Sequence, residues 1–435
     1  VIQRTDGIYH RGFDRNIGTE EYLKTLDPDR PTAGIMFTSN LWIYDNLEHI
    51  DALVERIERE GMNTVPIFFT AVSSSSGGVK TSDFVNRYFM KDGVPVVDVI
   101  LMCSPFSQLF NSREPTEGLR TRDEDNFFKT LTDVPVFHLI TSNGKYYDYE
   151  ETAEGSDKGG IQFQAAYPEV DGQIITVPFG TSEKTFSAVK RTHPVDDRID
   201  HIARLAKNWA ELRRTPPEKR KIAILLYQSR PDSGRIGNAA GLDSIESVYR
   251  LLAGMKERGY DVGELPENGK ALVKEFLDGV TNDLSWTSPE EVKKKAVALV
   301  DKKDYLAHYE KIPEYNRKRM EKNWGPPPGT VSVDGGKIVI PGILKGNVFI
   351  GYQPLRASAE LTESLYHSPD AVIPHQYLEY YRWLQHDFGA GAVVHVGTHG
   401  TLEWLPGKSI GLSEKCFPDL VLDALPNIYP YVIDD

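Results

Sequence analysis

The pattern that most limits how this chain can fold is a repeated alternation of short apolar runs with longer amphipathic stretches. "TAGIMFTS" (32–39), "TVPIFFT" (64–70), "VPVVDVILMCSP" (94–105) and "VPVFHLI" (134–140) are short and bounded by turn residues, as strands covered on both faces are. Between the first two, Leu47, Ile50, Leu53, Val54 and Ile57 recur at helical spacing, and Gly61 supplies a stop. This βαβ grammar predicts an α/β fold of Rossmann-like or flavodoxin-like parallel sheets with flanking helices.

A chain of 435 residues exceeds one compact core, so at least two domains are expected. Residues 1–195 read as an N-terminal α/β domain, with a β-rich, turn-rich elaboration at 141–190. The amphipathic "DDRIDHIARLAKNWAELRR" and the "TPPEKR" break make 196–216 a linking helix and junction. A second α/β domain, 217–435, begins on "KIAILLY" (221–227) and carries a helical insertion at 267–322. Its later strands are "KIVIPGI", "NVFIGYQPLR" and "AVVHV", the last fed by the helix "HQYLEYYRWLQHDFG".

The formal charge of −13 argues against a protein that works by neutralising a phosphate backbone, so no nucleic acid is expected. Cys103 and Cys416 stand far apart with no CxxC spacing, which fits a reducing compartment. No run approaches the length of a membrane span and no signal peptide is visible, so the expected setting is cytoplasmic. A start at Val1 and an end at "YPYVIDD" read as a piece cut from something longer.

Chemistry concentrates in "HVGTHGTLEW" (395–404). His395, His399 and Glu403 stand four apart, but Gly397 and Gly400 interrupt any long helix through them, so this is no zincin motif. The segment reads instead as a strand tip, a glycine turn and a helix start near Thr401. Open α/β sheets keep their sites at such places. Two imidazoles and a carboxylate there can bind a borderline divalent ion or accept protons. The same spacing also fits a hydrogen-bonded core His395 beside a plain turn.

Lesser candidates are Lys408 in "LPGK", Arg356 closing "GYQPLR", His375 at a helix start, and Glu169 in "YPEVDG", whose default is a solvated hairpin. The glycine-rich "SGRIGNAAGLD" (233–243) could cradle an anion with backbone N–H groups, and Asn238 sits in that loop; it lacks both the P-loop lysine and GxGxxG spacing. "SSSSGG" (73–78) is a second loop at a strand end.

Several segments in one order carry a resemblance: "GIYHRG", "YPEVDG", "IAILLY" with "GRIGNAAGLD", "GYDVGELPENG", "NVFIGYQPLR", "PHQYLEYYRWLQHDFGA" and the run from "FGAGAVVHVGTHGTLEWLPGK" onward. Together they resemble the large subunit of cobaltochelatase and magnesium chelatase, the CobN/BchH/ChlH family, across essentially the whole chain. The family's "LPELDG" stands here as "YPEVDG", and Trp404 is closer to the cobalt-inserting type. The resemblance implies a tetrapyrrole-binding subunit that inserts a divalent metal substrate, Co²⁺ favoured and Mg²⁺ possible, with ATP hydrolysed by a separate AAA+ ATPase and its adaptor subunit. It implies Glu403 as principal base or metal-delivery carboxylate, His399 beside it, and His395 as metal ligand or orienter; Arg356, His375, Lys408, Glu169 and Asn238 are candidates for holding the ring. A zinc-dependent hydrolase built on the same three side chains and a non-catalytic tetrapyrrole carrier are the alternatives.

Overall fold

The apolar runs form strands, and their near-continuous hydrophobicity follows from having both faces covered. In the computed structural model the described residues are 4–70, 81–105, 134–155, 158–184, 190–228, 241–282, 284, 287–357, 365, 368–397 and 400–430. The "SSSSGG" loop and most of the 233–243 loop, with Asn238, lie outside them, as does His399. The chain divides into two units, Val1–Arg214 with Lys408–Ser413, and Thr215–Gly407 with Glu414–Asp435.

In the first unit the described strands form one sheet in the order β1 (Asp6–Ile8), β3 (Asn63–Phe69), β2 (Thr32–Thr38), β6 (Val99–Met102), β7 (Val136–Asn143), β8 (Ile174–Lys184), β9 (Lys190–Pro194). Strands β3 to β8 are parallel, and the two edge strands are antiparallel. A two-residue hairpin, β4 (Met90–Lys91) with β5 (Val94–Pro95), precedes β6. Alternation along β2 sends Ile35 and Phe37 into one core and Met36 into the other. The first core takes Leu47, Ile50, Leu53, Val54 and Ile57, as the helical spacing predicts, from the helix Glu48–Arg59 and the residue before it.

Two sequence expectations change here. The helix Asp196–Arg214, read as a link, buries Ile199, Ile202, Ala203, Ala206 and Ala210 in the same core as β2 and β6. It belongs to the first unit, and the division falls between Arg214 and Thr215, just before Pro216 and Pro217. "YPEVDG" is no hairpin: Tyr167–Val170 is the last turn of a helical stretch that passes through a π-helical Gln162–Ala166. The Gln and Phe alternation there imitates a strand, but Ala165 and Ala166 favour the helix. The supposed β-rich elaboration likewise supplies β8, a full member of the main sheet.

The second unit is centred on β10 (Ile222–Leu226), which pairs in parallel with β15 (Val348–Tyr352) on one side and β16 (Ala392–Val396) on the other. Beyond them lie antiparallel β14 (Ile343–Lys345) and parallel β17 (Asn427–Ile428). A separate antiparallel sheet joins β11 (Ala298–Val300), β13 (Lys337–Ile340) and β12 (Val333–Asp334), so "AVALV" inside the expected helical insertion is a strand. Leu226, Tyr352 and Val396 share a register, which aligns the carboxyl ends of three parallel strands at one rim. Because β10 is flanked by two later strands on opposite sides, that rim is where such sheets place ligands.

Candidate functional site

Strand period decides what His395 does. Val393 and His395 lie two apart on β16 and face the helix His375–Trp383, whose Tyr377 and Tyr381 are four apart and so also share a face. The Tyr381 hydroxyl lies 2.8 Å from His395 Nε2, and Asn427 Oδ1 lies 2.9 Å from Nδ1. An amide oxygen can only accept, so Nδ1 carries the proton and Nε2 accepts from Tyr381. His395 is 2% exposed, and burial lowers its pKa to about 4 against a smaller opposing effect of the Asn427 contact. With both nitrogens engaged within the fold, His395 ties β16 to the helix and to β17.

The turn after β16 needs glycine at 397. A Cβ there would lie 2.3 Å from Tyr227 Cβ, and the backbone φ is +150°. Thr401 is buried, and its hydroxyl meets that of Tyr377 at 2.5 Å. Tyr377 and Tyr381 thus pin the turn at both ends. Just beyond Thr401, Glu403 projects from the short 3₁₀ turn Leu402–Trp404 as an exposed residue. Its Oε1 accepts from the Tyr429 hydroxyl at 3.2 Å, and the same hydroxyl accepts the Gly400 N–H.

Arg356 is 2% exposed, and its Nη2 donates to the carbonyls of Ser368, Ala371 and Trp404 at 2.8, 3.4 and 2.7 Å. It braces the Glu403 turn through the Trp404 carbonyl. His375 is buried between the Tyr305 hydroxyl (2.7 Å from Nδ1) and the Gly325 carbonyl (2.9 Å from Nε2), a core histidine whose pKa burial lowers. Lys408 belongs to the first unit, where its Nζ donates to the Glu150 and Thr152 carbonyls at 2.8 and 2.5 Å. Glu169 is exposed on the first unit's Tyr167–Val170 helix. Among the described residues no group of three or more His, Cys, Asp or Glu side chains is placed to hold a metal ion.

Tyr377, Tyr381, Asn427 and Tyr429, which hydrogen-bond to Thr401, His395 and Glu403, are residues that the sequence reading passed over. The i, i+4 tyrosines in "HQYLEYYRW" were the available signal; their aromatic character hid it among core residues.

The sequence model of the CobN/Magnesium Chelatase family matches residues 2–435. The chain belongs to this family. The aerobic cobaltochelatase subunit CobN of Pseudomonas aeruginosa is 34% identical over 422 residues, 96% of this chain and 32% of that protein. The chloroplastic magnesium-chelatase subunit ChlH of Oryza sativa subsp. indica is 29% identical over 418 residues, 95% of this chain and 28% of that protein. An uncharacterized protein of Methanocaldococcus jannaschii is 36% identical, covering 99% of this chain and 35% of that protein. Among solved structures, the catalytic subunit of cobaltochelatase from Mycobacterium tuberculosis superposes with a TM-score of 0.79 at 29% identity, over 100% of this chain and 35% of that one. The chain spans about a third of the length of the curated CobN/magnesium chelatase relatives it matches. No helix of the described residues is long and apolar enough to cross a membrane.

Proposed function

We propose that this chain is the region of a chelatase large subunit that binds a tetrapyrrole and presents the carboxylate at which a divalent metal enters the ring. Co²⁺ is the preferred metal substrate, and Mg²⁺ the lesser one. Identity of 34% and 32% to two cobaltochelatase subunits, against 29% and 30% to magnesium-chelatase subunits, supports that order, as does Trp404. ATP is hydrolysed by a separate AAA+ ATPase acting with an adaptor subunit.

The observation that carries the reading is an exposed Glu403 on a turn pinned at both ends, at the rim where the parallel strands of the second unit end. Insertion replaces the inner N–H protons, two in a porphyrin and one in a corrin, with one divalent ion, so the site must strip water from the ion and accept the protons released. A solvent-facing carboxylate can exchange with aquo ligands and take a proton, while holding the metal loosely enough to release it. His399, two residues past Gly397, is proposed as the second proton acceptor or ligand. His395 acts on the turn's geometry. The zinc-hydrolase alternative loses its third ligand, because both His395 nitrogens are engaged within the fold.

Titration of the full-length protein with a hydrogenobyrinate-type ring and a porphyrin, side by side, tests substrate class by absorbance or fluorescence. Glu403→Gln is expected to leave ring affinity within about twofold and to lower metal insertion by about 100-fold or more, a loss of roughly 3 kcal/mol of transition-state stabilisation. Insertion at the wild-type rate in this variant would refute the role of Glu403; a ring titration that never saturates would refute the function.

A further inference from the structure

The short segment that closes the second unit's sheet contributes to the site. Asn427 and Tyr429 are two apart in "PNIYPY", at and just beyond the end of β17. Asn427 Oδ1 holds Nδ1 of His395, and the Tyr429 ring packs edge-on against the same imidazole, centroids 5.9 Å apart at 70°. The Tyr429 hydroxyl then reaches the other side of the turn, where it accepts the Gly400 N–H and donates to Glu403 Oε1. Position 400 is crowded by the same groups: a Cβ there would lie 3.1 Å from Tyr429 Cε2 and hydroxyl oxygen and 3.2 Å from Glu403 Oε2. Glycine at 400 lets tyrosine and carboxylate meet over the backbone.

We infer that Tyr429 is a positioning residue for Glu403, its phenol engaging one carboxylate oxygen and holding the group over the turn. This inference rests on the chelatase reading for its catalytic meaning, and on geometry alone for the contact. A carboxylate on an exposed 3₁₀ turn has free χ angles in water, and one directed hydrogen bond to the charged group narrows them at little cost. The phenol acts through Glu403 and touches neither metal nor ring.

The test uses full-length protein, with the subunits that drive insertion, in four forms: wild type, Tyr429→Phe, Glu403→Gln and the double variant. The phenylalanine keeps the ring against His395 and removes only the hydroxyl. Tyr429→Phe is expected to lower kcat about 10-fold with KM for the ring unchanged within about twofold. The double variant should be no slower than Glu403→Gln alone, since the phenol has nothing left to position. Hydrogen exchange of the peptide spanning 396–405 should accelerate in Tyr429→Phe while peptides from the first unit exchange as in wild type. Unchanged kcat, or a double variant slower than Glu403→Gln by the full Tyr429→Phe factor, overturns the positioning role. Unchanged exchange overturns the contact. Accelerated exchange in a protein whose wild-type form inserts no metal leaves the contact standing and overturns both the chelatase reading and the catalytic role given to Tyr429.

Discussion

The tautomer of His395 is fixed by two neighbours, and each contact has a separable energetic consequence. Tyr381 is fully buried, and its hydroxyl donates to Nε2. Tyr381→Phe leaves a buried imidazole nitrogen without a donor and should lower the stability of the second unit by about 1–2 kcal/mol in denaturant titration, with the ring packing on Tyr377 retained. An unchanged midpoint would mean that the hydroxyl is not the partner. Asn427 is exposed, so Asn427→Ala should weigh less, because water can replace its oxygen. At this scale the sequence pointed to the strand tip but not to how His395 and Glu403 differ there. Four-residue spacing treats His395 and Glu403 alike. The strand's period of two, once its packed face is known, puts His395 in the core, whereas Glu403 has left the strand and reaches solvent on the 3₁₀ turn. For Arg356 and His375 a related rule holds: residue type alone does not reveal the hydrogen bonds each makes inside the fold.

Strands and helices were legible wherever both propensity and period agreed. β2, β3 and β10 coincide with apolar runs because a parallel strand covered on both faces has no polar alternation to confuse the reading. The reading failed where a short segment satisfied two periods at once, as with the helical 161–170 stretch and the three-residue β11. The turn between β16 and Glu403 is the element on which the site depends, and Gly397 is its hinge of shape. Gly397→Ala places a methyl group into Tyr227 and forces an alanine into a left-handed φ, so it should destabilise the second unit by roughly 2–4 kcal/mol. It should also reduce ring affinity, since the turn must shift to relieve the contact. A thermal midpoint within a degree of wild type would show that the turn tolerates a Cβ and that its glycine serves the ligand alone.

At the scale of the whole chain the βαβ grammar disclosed the α/β class; the chain divides between Arg214 and Thr215, and placing the 196–214 helix needs its buried face, which only the assembled core reveals. The units share a device that sets how the protein responds to acid. His49 and His138 in the first unit and His395 in the second are all nearly fully buried, and burial lowers their pKa values to about 3, 4 and 4. A histidine whose folded pKa lies below its unfolded value of about 6.5 binds its proton first in the unfolded chain. Its stabilising contribution is therefore complete above about pH 6.5 and is lost as pH falls toward the folded value. Stability should decline in both units between about pH 6.5 and 4, with up to one proton taken up per buried histidine on unfolding. Paired carboxylates such as Glu58, whose pKa is lowered by contacts with His10 and Thr64 despite the opposing effect of burial, add their own loss only below the usual carboxylate range. Denaturant midpoints followed across this window check the prediction. Tryptophan fluorescence can report both units, because Trp42 and Trp209 lie in the first and Trp324, Trp383 and Trp404 in the second. Replacing His138 by Leu should flatten the pH dependence of the first unit and leave that of the second as it was; a slope unchanged by this substitution would show that the protons are taken up elsewhere.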